Sequence, residues 1–180
     1  MINKAIIFAT KAHEGQMRKA TNIPYILHPL ECAVIVSAMT EDKEMVVAAL
    51  LHDTVEDCEG VTIDTIREEF GERVACFVKG ETEDKSKSWR ERKQATINHI
   101  KTASAEECIL LLADKLSNLR SIARDYEVLG DDLWNRFNEK RKECIAWYYR
   151  SIGEAMACLN EYPQYGEYQM LVKQVFGCQE

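Results

Sequence analysis

One imidazole and three carboxylates fall within the six residues 52–57. His52 and Asp53 end the apolar run Ala48-Ala49-Leu50-Leu51, and Glu56 and Asp57 follow within a turn. If this stretch is helical, His52 shares a face with Glu56, and Asp53 with Asp57. Acids beside an apolar run are costly to desolvate unless a cation sits among them. A divalent ion would meet that need. Two further donors lie elsewhere: His28 ahead of Pro29, and Asp114 inside Leu110-Leu111-Leu112-Ala113-Asp114-Lys115-Leu116. Two imidazoles and two carboxylates make a nitrogen and oxygen set suited to Mn²⁺, Fe²⁺ or Zn²⁺. Each donor also has a plainer reading. A histidine before proline caps or packs a helix, and an aspartate in an apolar helix pairs with a base such as Lys115 or Arg120. Glu56 and Asp57 read equally as an exposed helix end. The residues alone leave both readings open.

The elements that must position these groups have helical spacing nearly throughout. Helices are predicted over residues 2–16, 29–39, 41–57, 63–70, 72–80, 89–102, 104–125, 132–161 and 165–176. Thr62 is expected to cap one of them, Ser104 to open another with Glu107, and Pro29 to lie in a first turn. Loops are expected at 18–28, at 81–88 and around Gly130, and Pro163 to interrupt the last helical stretch. No alternating strand, repeat or linker is evident. The expectation is an all-α bundle of about eight to ten helices, a single domain spanning residues 1–180.

Composition narrows the function. The net charge of −7 argues against a general nucleic-acid or membrane surface, so an anionic ligand needs a local basic pocket. Seven cysteines (Cys32, Cys58, Cys76, Cys108, Cys144, Cys158 and Cys178) include no Cys-x-x-Cys pair, which suggests reduced thiols in the cytoplasm. No apolar run is long enough to span a bilayer, and the N-terminal residues do not read as a signal peptide. Only His13 and His99 remain beyond His28 and His52, so one metal per chain is expected; His13 reads as a packing residue and His99 as exposed.

His52-Asp53, with a histidine upstream and an aspartate downstream, resembles the HD superfamily of metal-dependent phosphohydrolases. The resemblance narrows over three ordered motifs. His13-Glu14-Gly15-Gln16-Met17-Arg18-Lys19 followed by Pro24-Tyr25-Ile26-Leu27-His28-Pro29, then His52-Asp53-Thr54-Val55-Glu56-Asp57, then Leu112-Ala113-Asp114-Lys115-Leu116-Ser117-Asn118-Leu119 resemble the RelA/SpoT hydrolase domain. The resemblance covers about residues 2–151 and leaves no room for a synthetase or regulatory domain, as in the stand-alone small alarmone hydrolases. It implies His28, His52, Asp53 and Asp114 as ligands of one divalent ion, usually Mn²⁺. It implies Glu56 and Asp57 as the acid pair acting on the attacking water, and Arg18, Lys19 and Asn118 as nucleotide contacts, Arg18 stacking on the base. Arg92 and Lys93 match its phosphate-binding helix. The implied reaction removes the 3′-pyrophosphate of guanosine tetra- or pentaphosphate, (p)ppGpp, giving GDP or GTP. Asn22 stands where the family usually has glycine, a position Asn fills well if φ must be positive. Ala20 replaces a frequent Ser or Thr, and residues 127–149 align poorly. The same residues would serve a phosphohydrolase of an adenosine alarmone or of the NADPH 2′-phosphate, or a non-catalytic nucleotide-binding module. Self-association is left open, and Trp134 and Tyr148 are expected in the core.

Overall fold

Helical spacing in the sequence becomes helix almost everywhere. The structure, a computed structural model, describes residues 1–177; Cys178 lies outside the described residues. Described are α1 (Ile2–Ala12), α2 (Leu27–Ser37), α3 (Lys43–Leu51), α4 (Thr54–Asp57), α5 (Ile63–Phe70), α6 (Glu72–Glu81), α7 (Trp89–Ile100), α8 (Ala105–Leu129), α9 (Lys142–Ala155) and α10 (Pro163–Phe176). Short 3₁₀ helices run over Gly130–Arg136 and Ala157–Leu159. Among the described residues there is no strand, only an isolated bridge between Met17 and Pro24. The all-α expectation holds. The chain groups into two units, residues 1–83 with 109–114, and residues 84–108 with 115 onward.

In the first unit α3 is central. Asp42 caps it, its carboxylate accepting from the Glu44 and Met45 N–H groups at 2.8 and 3.4 Å. Every residue from Met45 to Leu51 is buried, against α2, α6 and α1. Burying one such side chain contributes about 1.5–3 kcal/mol, so α3 is a firm base for whatever follows Leu51. In the second unit α9 packs on α7 and α10. Trp134 and Tyr149 each stack on Phe176, with ring centroids 5.7 and 5.8 Å away, and Tyr168 donates to the Tyr149 carbonyl at 2.6 Å. Trp134 and Tyr148 are buried, as expected of core aromatics. The Thr62 cap and the Ser104–Glu107 capping box also form as predicted.

Several boundaries differ, each for a local reason. The helix predicted over 41–57 is broken at His52 and Asp53. The Thr54 hydroxyl donates to the Leu51 carbonyl at 2.7 Å and His52 Nδ1 to the Ala49 carbonyl at 2.9 Å, so side chains compete for the last turn's acceptors. Backbone bonds from Asp57 to Asp53 (2.9 Å) and Cys58 to Thr54 (3.1 Å) persist, so the rotation per residue stays close to helical. The long helix predicted over 132–161 is divided into the 3₁₀ helix Gly130–Arg136, a loop, α9 and a second 3₁₀ turn. There the Asp131 carboxylate gathers Trp134 Nε1 at 3.1 Å and Lys142 Nζ at 3.2 Å, which folds the chain back on itself. Pro163 opens α10 at its first position, where its missing N–H costs nothing. His28 and Pro29 lie inside the first turn of α2. In the loop before it, positive φ falls on Ala20, at 55°, and not on Asn22.

Candidate metal centre and active site

Three elements of the first unit bring the four proposed ligands together. His28 enters from the start of α2, His52 and Asp53 from the turn after α3, and Asp114 from α8. His28, His52 and Asp114 are 3, 5 and 7% exposed. His28 Nε2 lies 3.1 Å from Asp114 Oδ1 and 3.5 Å from Asp53 Oδ2. His52 Nε2 lies 3.0 Å from Asp53 Oδ2 and 3.8 Å from Asp114 Oδ1. The two imidazole centroids are 5.1 Å apart. Donors about 2.1 Å from one ion at ordinary coordination angles stand roughly 3.0–3.4 Å from each other, so these separations are close to what a shared ion requires.

The proton arrangement suits a cation. The Ala49 carbonyl can only accept, so His52 Nδ1 carries a proton and holds the ring. Its Nε2 is buried and makes no well-aligned hydrogen bond, although the Asp53 and Asp114 carboxylates lie 3.0 and 3.8 Å away. A buried imidazole nitrogen poorly aligned with the carboxylates it faces suits a metal ligand. Electrostatics agree. Burial opposes charge on His52, but the Asp53 carboxylate beside it more than offsets this, pushing the pKa up to about 10. For His28 burial prevails over Asp114 and the pKa is lowered. For Asp53 burial is outweighed by the two imidazoles, His52 first, and the pKa is lowered. The cluster binds positive charge; a cation would stand where the His52 proton otherwise stands.

Cys32 was not foreseen. Its Sγ belongs with His28, His52 and Asp114 to a group whose ligand atoms all lie within 4.8 Å of one another, a set that could hold a metal ion. The sulfur lies 3.6 Å from His28 Nδ1 and 3.9 Å from Nε2. It also lies 3.7 Å from the Ala113 carbonyl, to which the thiol donates. The thiol is thus engaged by a carbonyl, whereas Asp53 Oδ2 lies 3.5 and 3.0 Å from Nε2 of His28 and His52. The signal for Cys32 was its spacing of four residues from His28 on α2.

The proposed acids are placed differently. Glu56 Oε2 accepts the Glu83 backbone N–H at 3.2 Å. Asp57 is exposed, with Oδ2 3.4 Å from the Tyr25 hydroxyl. That hydroxyl is much closer to Asp53 Oδ2, at 2.6 Å. Burial, reinforced by the Asp53 charge, pushes the Tyr25 phenol far above its usual range, so it stays a donor. The Arg18 guanidinium stands over the Tyr25 ring, 5.6 Å from the centroid, and Lys19 follows it exposed. Arg92, Lys93 and Asn118 belong to the second unit and are half-buried there. Lys93 Nζ lies 4.9 Å from the Tyr148 ring centroid and Lys115 Nζ 5.9 Å.

His13 and His99 follow their plain readings. His99 is exposed, 3.2 Å from Glu107. His13 is 3% exposed and packs its ring on Tyr25, with centroids 4.8 Å apart. Its Nδ1 lies 2.8 Å from Gln16 Oε1, while Gln16 Nε2 donates to the Asp57 carbonyl at 2.9 Å.

The chain is similar to several known proteins. The profile described as "HD domain" matches residues 5–142. The guanosine-3′,5′-bis(diphosphate) 3′-pyrophosphohydrolase MESH1 of Danio rerio is 40% identical over 124 residues, covering 67% of this chain and 68% of that protein. The guanosine-3′,5′-bis(diphosphate) 3′-pyrophosphohydrolase of Aquifex aeolicus is 35% identical over 145 residues, 79% of this chain, and this chain spans only 19% of its length. A solved structure, described as a metazoan ortholog of SpoT that hydrolyzes ppGpp and plays a role in starvation responses, superposes with a TM-score of 0.75. It is 26% identical, with 97% of this chain and 93% of that chain covered. With its all-α architecture and a profile match that includes all four clustered side chains, this chain belongs to the HD domain family, among relatives of the SpoT hydrolase type.

Proposed function

We propose that the chain is a metal-dependent hydrolase that removes the 3′-pyrophosphate of (p)ppGpp, giving GDP or GTP and pyrophosphate. The observation that carries this reading is the largely buried cluster of His28, His52, Asp53 and Asp114, inside a chain 40% identical over 124 residues to a protein named as a guanosine-3′,5′-bis(diphosphate) 3′-pyrophosphohydrolase. Those four side chains would hold one divalent ion, Mn²⁺ in our reading. When bound, the ion supplies Lewis acidity that draws charge from a phosphate oxygen and makes water acidic enough to react near neutral pH.

The chain's own groups do the rest. Glu56 and Asp57 hold the attacking water, and one of the two carboxylates takes its proton. The water oxygen bonds to the phosphorus attached to the ribose 3′-oxygen, the bond between that phosphorus and the 3′-oxygen breaks, and the 3′-oxygen leaves as a hydroxyl by taking the proton that the carboxylate removed from water. Arg18 and Lys19 contact the nucleotide, with Arg18 stacked on the guanine. Asn118, Arg92 and Lys93 serve as further contacts to the phosphates and sugar. We take residues 1–180 as one catalytic domain, in line with a profile match that runs through residues of both units. We assign the protein to the cytoplasm, acting on a free nucleotide without nucleic acid or membrane, as its net charge of −7 favours.

The test is release of pyrophosphate from ppGpp by purified protein with Mn²⁺. Turnover far above that of Asp53→Ala is expected. Turnover equal to that variant sinks the reading. Faster turnover of an adenosine alarmone or of NADPH in the same assay replaces the substrate and keeps the chemistry.

A further inference from the structure

The motif that carries His28 also carries Tyr25, to which neither the sequence nor the proposed reaction gives a task. Its side chain is half-buried, and its hydroxyl reaches two acids with different expected duties. It lies 2.6 Å from Asp53 Oδ2 and 3.4 Å from Asp57 Oδ2. A phenol has one proton to give, and the shorter distance assigns that proton to Asp53. Asp53 Oδ2 is also the oxygen nearest His52 Nε2, at 3.0 Å. One carboxylate oxygen thus meets the imidazole cluster on one side and the phenol on the other.

The ring is held in turn. His13 packs on it, with centroids 4.8 Å apart, and T-shaped contact with His28 closes the other approach at 5.9 Å. Below His13, Gln16 is oriented by its partners. The Asp57 carbonyl can only accept, so the amide nitrogen points there at 2.9 Å. The amide oxygen then faces His13 Nδ1 at 2.8 Å, which must carry the proton. Cys58 Sγ, 3.3 Å from the same nitrogen, completes the packing. Residues 53 and 57 are therefore fixed from one side at two points, through a carboxylate and through a backbone carbonyl.

We propose that Tyr25 is a positioning residue: its hydroxyl fixes the Asp53 carboxylate for the metal, and the His13–Gln16 pair behind it fixes the backbone of Asp57. This rests on the metal-hydrolase reading given above. A donor that orients a ligating carboxylate from outside the metal is typically worth 10–100-fold in metal affinity or activity.

The experiment is Mn²⁺ titration of the full chain, following free Mn²⁺ by electron paramagnetic resonance, for wild type, Tyr25→Phe and Tyr25→Leu. Melting of each protein in EDTA is measured alongside. Tyr25→Phe is expected to weaken Mn²⁺ binding about 10–100-fold while melting in EDTA near wild type. It is also expected to lower kcat for ppGpp with KM within about twofold, because the nucleotide contacts are untouched. Tyr25→Phe binding Mn²⁺ as wild type does overturns the proposal, and does so equally if Tyr25→Leu alone is weakened, since the ring rather than the hydroxyl would then act. Wild type that binds no Mn²⁺ and hydrolyses nothing is a separate result: it removes the metal-hydrolase reading, and this proposal with it.

Discussion

Two polar clusters in this protein each gather carboxylate and nitrogen groups and differ in balance. In the second unit Lys142, Asp131, Tyr126 and Trp134 meet. Asp131 Oδ1 accepts from the Tyr126 hydroxyl at 3.1 Å, Trp134 Nε1 at 3.1 Å and Lys142 Nζ at 3.2 Å. Lys142 also donates to the Tyr126 hydroxyl at 2.7 Å. Donors match acceptors, and the Asp131 side chain is 74% exposed. Such a cluster ties a turn and asks for nothing more. In the first unit His28, His52 and Asp114 are buried, the Asp53 and Asp114 carboxylates both face the imidazoles, and His52 Nε2 makes no well-aligned hydrogen bond. Burial without balance is the feature on which the proposed metal site rests.

That contrast can be broken at several points. The largest effect is expected from His28→Ala. It should lower kcat/KM for ppGpp by about 10³-fold, since a metal contributes several kcal/mol of charge stabilisation. It should also abolish the rise in melting temperature that Mn²⁺ gives to wild type. At 100 times Kd that rise corresponds to about 2.7 kcal/mol, roughly 5–10 °C for a chain of this size. A His28→Ala protein still stabilised by Mn²⁺ would mean that the ion binds elsewhere.

Next comes Glu56→Gln, expected to lower kcat about 10²-fold, in the range of a lost general base, with Mn²⁺ stabilisation retained. Loss of that stabilisation would move Glu56 from proton transfer to ion binding. Lys142→Met tests the balanced cluster. With Asp131 largely exposed, removing the ammonium should cost about 1 kcal/mol or less, a melting shift of roughly 2–4 °C, with Mn²⁺ stabilisation and turnover within about twofold of wild type. A large loss of turnover would show that this turn belongs to the functional half of the comparison. The smallest effect is expected at Ala20, which holds φ at 55° in the loop bearing Arg18 and Lys19. Glycine there removes about 1–2 kcal/mol of strain but gives back about 0.4–1 kcal/mol in unfolded-chain entropy. Ala20→Gly should therefore raise the melting temperature by about 1–2 °C, checked by calorimetry.

Much of the fold was legible because helical periodicity and caps are local. Thr62, the Ser104–Glu107 pair and the apolar run before His52 each carry their signal within a few residues. Breaks were harder to read. The interruption at His52 comes from Thr54 and His52 side chains competing for carbonyls, and the division near residue 137 from Asp131 drawing in Lys142. Both depend on which rotamers the packing permits. Asn22 illustrates the same limit: its type suited a left-handed turn, yet the backbone put positive φ two residues earlier.

The sequence by itself determined the donor types, their order along the chain and the helices that carry them, because those follow from composition and periodicity. Only the tertiary structure decided that His28, His52, Asp53 and Asp114 converge, that Cys32 lies beside them, and that Tyr25 joins Asp53 to Asp57. Convergence within hydrogen-bond distance is a product of long-range packing, and no spacing along a chain encodes it.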